Sequence, residues 1–250
     1  MNKTQRLMAI CSFLLLSGFS GFAQQKVDSS FFTELWTPEP RVVTPGKNIS
    51  DPPSDAIILF NGKDLSAWKG RDGGPAKWAV ADGAFTVTPR TGEIATKEAF
   101  GDCQLHVEWK ISPDVSGTSQ QRGNSGIFLM GKYELQVLDN YAGKTYVNGQ
   151  AGAIYKQSIP LVNACRPPGE WQTYDIIFTA PRFGDDGRVK SPAVITVLHN
   201  GILVQNNFHI IGGTQYIGIA NYKKHGDKEP ITLQDHGNPT SFRNIWIRPL

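Results

Sequence analysis

The chain has 250 residues, 25 basic and 22 acidic, and 40% of them are hydrophobic. That is enough for one sizeable core, and no run of Lys and Arg supports a nucleic-acid partner. The three cysteines form no CxxC, which removes the cysteine-rich metal motifs.

Residues 1–23 read as a signal peptide. Lys3 and Arg6 form its basic start, Leu7 to Phe19 its apolar run, and Gly21-Phe22-Ala23 its cleavage site. The apolar run is too short for a membrane span. Cys11 follows Ile10 rather than a small residue and sits early in that run, which argues against a lipid anchor. The expectation is export to a periplasm. Without Lys3 and Arg6 the remaining chain has 23 basic and 22 acidic residues, a net charge of +1. Cys103 and Cys165 then remain, and export leaves both readings open, two thiols or one bridge.

Residues 24–54 read as an extended arm. Phe31, Phe32, Leu35 and Trp36 suggest one short helical or docking segment, followed by Pro38, Pro40, Pro45, Pro52 and Pro53. From residue 55 to 250 the pattern is short strands and turns within one domain. Expected strands are Ile57 to Phe60, Trp78 to Val80, Phe85 to Thr88, Leu105 to Ile111, Ser125 to Leu129, Tyr133 to Leu138, Gln172 to Thr179, Val194 to His199, Ile202 to Gln205, Tyr216 to Ala220, Ile231 to Gln234 and Phe242 to Ile247. Asp82-Gly83 and Asn200-Gly201 are hairpin signals. A dozen strands at this spacing make an all-β sandwich or barrel.

Two stretches concentrate polar groups. In Arg122 to Asn140, alternation puts Tyr133, Leu135 and Val137 on one face of a strand and Glu134, Gln136 and Leu138 on the other. The bland reading makes Glu134 and Gln136 a solvent face. The functional reading makes them a polar row facing a ligand. In Ile231 to Arg243, Gln234, Asp235 and His236 end one strand in a row. Asp235 and His236 either hold a turn or belong to a site.

Paired-carboxylate catalysis fits poorly. Glu134 and Asp139 lie five residues apart, about 16 Å along a strand, on opposite faces unless a bulge intervenes. A retaining pair needs carboxyl groups about 5–5.5 Å apart. Nucleophile, phosphate-loop and H-E-x-x-H motifs are absent.

GNSGIF, YELQVLDN, GAIY at Gly152 to Tyr155, GEWQTYDI at Gly169 to Ile176, HNG at His199 to Gly201, and LQDHG followed by FRNI resemble, in order, the 3-keto-disaccharide hydrolase family. Two departures are Gln172, where the family usually has Asn, and Cys103, usually aromatic. The resemblance implies a concanavalin A-like jelly-roll β-sandwich whose concave face takes a carbohydrate, and cleavage of glycosides already oxidised at C3. A C3 ketone acidifies the C2 proton, so a base can remove it and the C1 substituent can leave; water then adds. On this resemblance Glu134 and His236 serve as base or as ligands of a divalent cation of unspecified identity, with Asp235 and Gln136 orienting them. Arg122 and Asn124 contact hydroxyls or the enolate, and Tyr155 and Trp171 stack on a ring. Asp139 and Gln234 complete the polar groups, with Lys97 at the rim and Glu108, beside His106, as lesser candidates. A noncatalytic carbohydrate-binding module and a conventional glycosidase are the alternatives.

Overall fold

The structure is a computed structural model that describes residues 30–250; the expected signal peptide, residues 1–23, lies outside the described residues. The chain falls into two compact units, one ending at Val42 and one spanning Val43–Leu250. In the first, Ser30–Thr33 form a 3-10 turn.

The second unit holds fifteen strands. An eight-stranded antiparallel sheet runs in the order β13 (Ile202–His209), β12 (Val194–His199), β9 (Gln172–Thr179), β6 (Cys103–Ile111), β15 (Thr240–Pro249), β4 (Ala84–Thr86) and β3 (Ala79–Ala81), with β1 (Ile57–Phe60) also paired to β15. A five-stranded sheet runs β2 (Trp68–Gly70), β5 (Ile94–Thr96), β14 (Thr232–Leu233), β7 (Ser125–Leu129) and β8 (Tyr133–Val137). A short ribbon joins β10 (Arg182–Phe183) to β11 (Val189–Ser191). This is an all-β, concanavalin A-like jelly-roll sandwich. No helix among the described residues is long and apolar enough to cross a membrane.

Period-two alternation builds the core. Leu105, Val107, Trp109 and Ile111 of β6 and Tyr174, Ile176 and Phe178 of β9 pack in one cluster with Ile127, Leu129, Tyr133, Leu135 and Val137 of β7 and β8. Each fully buried large side chain contributes about 1.5–3 kcal/mol. The core therefore lies between the sheets, and each sheet keeps an outer face for polar residues.

The turns obey the sequence. Asp82-Gly83 and Asn200-Gly201 both have two successive positive φ values, the conformation of tight two-residue hairpins. Residues 43–54, read as arm, belong to the sandwich unit. The Ser50 carbonyl accepts hydrogen bonds from Asn244 Nδ2 (2.9 Å) and Trp246 Nε1 (3.0 Å), and Asp55 pairs with Arg248 at 2.6 Å. Cys103 and Cys165 are both free thiols, pushed up to about 12, Cys103 by burial and then by the charge of Asp102, and Cys165 chiefly by burial.

Two expectations are corrected. Tyr216 to Ala220 is not a strand: Tyr216, Ile217 and Ile219 are 73%, 82% and 85% exposed, because the segment has no sheet edge to join. Leu138 does not share the face of Glu134. β8 ends at Val137, the alternation ends with it, and Leu138 turns into the core. The strands β2 and β5 carry too few residues for a periodic signal, and nothing in the sequence marks them.

Candidate active site

The outer face of the five-stranded sheet carries the site. In β8, Glu134 and Gln136 point away from the core. Register sets their neighbours: Glu134 pairs with Phe128, and Gln136 with Gly126, on β7. Thr232 of β14 pairs with Phe128, and the Gln234 N–H donates to the Gly126 carbonyl at 3.0 Å. Gln136, Gly126 and Gln234 thus form one row across three strands, with Glu134 one step along.

Gly126 is required by proximity. A Cβ there would lie 2.7 Å from Glu134 Oε1 and 3.0 Å from Phe128 Cε2. The carboxyl group leans over the space a side chain would fill.

The two polar stretches are braced together. Ser125 Oγ donates to the Gln234 carbonyl (2.8 Å), and the Gly123 N–H donates to Asn238 Oδ1 (2.7 Å). On the other side, residues 152–155 run along the free edge of β8. The Tyr155 N–H donates to the Glu134 carbonyl (3.1 Å), and the Gln136 N–H to the Ala153 carbonyl (3.0 Å). The Glu134 N–H donates to Thr214 Oγ1 at 3.0 Å.

These segments enclose a cavity of about 440 Å³ lined by Gln120, Gln121, Asn124, Phe128, Glu134, Gln136, Tyr155, Thr214, Tyr216, Gln234 and His236. Glu134 is the one carboxylate in that lining. It is 4% exposed, and no donor among the described residues reaches its carboxyl oxygens. Burial alone pushes it up to about 8.

Amide acceptors surround it. Asn124 Nδ2 donates to the Gln120 carbonyl (2.7 Å), and Gln136 Nε2 donates to Gln120 Oε1 (2.8 Å) and the Gly149 carbonyl (3.3 Å). Backbone carbonyls only accept, so these bonds fix which end of each amide is oxygen. Asn124 Oδ1 and Gln136 Oε1 are then buried with no partner, and Gln234 Oε1 is buried without one as well. A native fold rarely tolerates such oxygens without a purpose.

Of the residues singled out by sequence, the cavity gathers Glu134, His236, Asn124, Gln136, Tyr155 and Gln234. His236 lies exposed on its rim. The others stand elsewhere. Asp235 Oδ2 accepts from the Gly92 N–H (3.0 Å) and Oδ1 from the Gly237 N–H (2.9 Å), so it holds the turn. Arg122 Nε and Asp139 Oδ2 form a 2.6 Å ion pair that pins the end of β8. Trp171 is stacked by the Arg243 guanidinium at 4.1 Å and by Lys110 Nζ at 4.7 Å. Glu108 lies on the outer face of the other sheet, a whole sandwich away from Glu134. Lys97 is exposed outside the lining. Gln172, the departure from the family pattern, bonds to Arg166 N (3.0 Å) and Asn200 Nδ2 (2.7 Å) rather than to the cavity.

Sequence reasoning missed Gln120, Thr214 and Tyr216. Gln120 is the hub of the amide network, also donating to Thr145 Oγ1 and the Gly149 carbonyl, both at 2.9 Å. Gln120 lies in a single 3-10 turn, Ser119–Gln121, and Thr214 and Tyr216 lie in a loop, where no period marks a face.

A jelly-roll sandwich with one buried carboxyl among sugar-compatible amides defines a carbohydrate-active enzyme. The 3-keto-alpha-glucoside-1,2-lyase-like domain matches residues 55–248, and the chain belongs to that family. It is 26% identical, over 246 residues, to a 3-keto-disaccharide hydrolase of Bacteroides thetaiotaomicron, with 78% of each chain covered. A candidate glycosyl hydrolase of known structure from Parabacteroides distasonis ATCC 8503 is 54% identical, with a TM-score of 0.86 over 88% of this chain and 96% of that one. A second such structure from the same organism, at 24% identity and TM-score 0.58, covers 78% and 94% and shares the fold. The protein is a glycoside hydrolase of this family.

Proposed function

We propose that the enzyme cleaves 3-keto-glycosides by elimination across C1 and C2, followed by addition of water, and that it is exported. The observation that carries this reading is Glu134: one buried carboxyl group, without a donor, in a cavity that no second carboxylate lines. Direct glycoside hydrolysis works with two carboxyl groups flanking the scissile bond. Removing a proton made acidic by a neighbouring ketone needs one base. A carboxyl near 8 is a stronger base than an ordinary one and is partly ionised at neutral pH.

Glu134 takes the C2 proton in this scheme. The orphan oxygens of Asn124, Gln136 and Gln234 accept hydrogen bonds from the sugar hydroxyls, which removes the cost of leaving them buried and unpaired. His236, exposed on the rim, contacts the substrate or serves as a ligand in this scheme.

The resemblance also implies a divalent cation. No group of three or more His, Cys, Asp or Glu side chains comes together among the described residues, which does not suit a transition-metal site of nitrogen and sulfur donors. The orphan amide oxygens beside the Glu134 carboxyl do suit a hard cation of the calcium or magnesium type. Asn124, Gln136 and Gln234 would hold it, with His236 at the edge and Glu134 left free as the base. Such an ion supplies electrophilic assistance to the ketone oxygen.

A matched assay tests the reading. Purified protein lacking residues 1–23 is given nitrophenyl glucoside or its 3-keto derivative, each with and without chelator. Cleavage of the keto form alone is expected. Cleavage of the plain glucoside would overturn the elimination scheme. Export is tested by sequencing the amino terminus of protein from the periplasm, where Gln24 is the expected first residue.

A further inference from the structure

The elimination needs more than a base. When the C2 proton leaves, negative charge appears on the C3 oxygen, and a donor must meet it. Two of the amides in the lining are already used. The side-chain N–H groups of Asn124 and Gln136 are committed to the Gln120 and Gly149 carbonyls.

Tyr155 is placed to supply one. The bridge between Leu135 and Ile154 sets Glu134 opposite Tyr155 across the sheet edge, on the same face. The backbone confirms the register, with the Tyr155 N–H on the Glu134 carbonyl at 3.1 Å. Tyr155 lines the cavity and is 8% exposed. Its hydroxyl is bonded to that of Tyr146 at 2.5 Å. When Tyr146 donates in that bond, the Tyr155 proton is free for the substrate. Lys156 Nζ lies 5.6 Å from the Tyr155 ring centroid and 5.7 Å from that of Tyr146, a positive charge beside both phenols.

We infer that Tyr155, oriented by Tyr146, is the catalytic hydrogen-bond donor to the C3 oxygen in the elimination step. This rests on the elimination reading. Glu134 takes the proton from C2, and the C2–H electron pair forms a C2=C3 bond while the C3 oxygen becomes the enolate held by Tyr155. The enolate then re-forms the C3 ketone, C1=C2 forms, and the C1–O bond breaks with its electron pair on the departing oxygen, which takes a proton from Glu134. Water adds across C1=C2, giving the 3-keto sugar. Tyr155 is a donor throughout and transfers no proton. Tyr146 is a positioning residue.

The test is turnover of 3-keto nitrophenyl glucoside in D2O by the wild type, Tyr155→Phe and Tyr146→Phe. The wild type should release 3-keto-glucose carrying deuterium at C2 above the level of a control without enzyme. Tyr155→Phe should lower kcat by about 10²–10³-fold with KM nearly unchanged, the effect of losing one oxyanion donor. Tyr146→Phe should lower kcat by about 2- to 10-fold, the worth of one neutral hydrogen bond, also without a KM change. Both variants keep the ring, and Tyr146 is 39% exposed, so its variant reads the pair even if Tyr155→Phe loses stability. Wild-type turnover with no deuterium at C2 overturns the elimination reading and the proposal with it. Deuterium at C2 with undiminished kcat in both variants overturns the Tyr155 assignment alone.

Discussion

Replacing Glu134 by Gln should stabilise the protein and abolish turnover. The carboxyl sits at about 8 in the folded chain against 4.5 in the unfolded one. Below pH 4.5 it is protonated in both states and costs nothing. As pH rises, the unfolded chain releases the proton first, so stability falls between about 4.5 and 8 and then levels off. A shift of this size corresponds to roughly 5 kcal/mol. Relaxation of the protein around an ionised buried group reduces that to about 2–3 kcal/mol. The amide introduced by Glu134→Gln would also find acceptors in the orphan oxygens nearby. For a domain of this length 1 kcal/mol is about 2–4 °C in Tm, so the variant should melt roughly 5–10 °C higher at pH 9. The assay is thermal unfolding of both proteins from pH 4.5 to 9. Their curves should converge at the acid end and separate towards the alkaline end, while turnover of the keto substrate is lost in the variant. A constant difference across the range, or a variant less stable at pH 9, would refute the reasoning.

Gly126→Ala should cost about 1–3 kcal/mol and most of the activity, because its Cβ would lie 2.7 Å from Glu134 Oε1; urea unfolding and turnover check both. Asp235→Ala frees two backbone N–H groups, of Gly92 and Gly237. It should lower stability by about 1–3 kcal/mol, whereas His236→Ala, on the exposed rim, should leave the melting curve within about 1 kcal/mol and lower turnover. His106 and His199 give a contrast readable by NMR titration. Burial opposes the charge on His106, but the hydrogen bonds it donates to Asp175 and Glu108 outweigh burial and raise it to about 8. Burial, helped by the charge of Arg166, drives His199 down to about 3. His106 therefore adds roughly 2 kcal/mol below pH 6.5 that is lost as pH rises through about 8, and Asp175→Asn should bring that loss to lower pH.

Much of the sandwich was legible because strands of five or more residues carry a period. β6, β7, β9 and β12 follow their sequence boundaries within two residues, and Asn200-Gly201 marks its turn. The failures share a physical cause. Tyr216 to Ala220 has strand composition, but pairing is a property of a neighbouring edge, which local sequence does not contain. The polar row of Glu134 and Gln136 was legible from alternation, yet its burial was not, since the segments that wall it in come from residues 120, 155, 214 and 236. Arg122, Asp139 and Asp235 have the residue types of a site and perform the work of a brace. Their chemistry was visible in the sequence; what they touch was not.

Glu108 and Glu134 show what separates a brace from a reactive group. Both are buried acids in mid-strand, and burial raises both. Around Glu108, hydrogen bonds from His106, Asn244 and Arg243, the last at 2.6 Å, reverse the effect and bring it to about 2. Its charge is satisfied and its basicity is gone. Glu134 has no such donor, and the oxygens about it are themselves unpaired. A fold under selection for stability alone would fill that cavity with a donor or remove the acid, since an unpaired buried carboxyl is a standing cost. Around the cavity four acceptors, the Glu134 carboxyl and the Asn124, Gln136 and Gln234 amide oxygens, lie without partners. That pattern is what a ligand rich in hydroxyl donors, carrying one acidic C–H, would satisfy on arrival. The substitution Thr214→Arg should therefore restore the unperturbed range of Glu134 and raise stability at pH 9, while turnover of the keto substrate falls by about 10²-fold or more, because the base is weakened and its space occupied. An Arg variant with full turnover would show that the isolation of Glu134 is not what the chemistry uses.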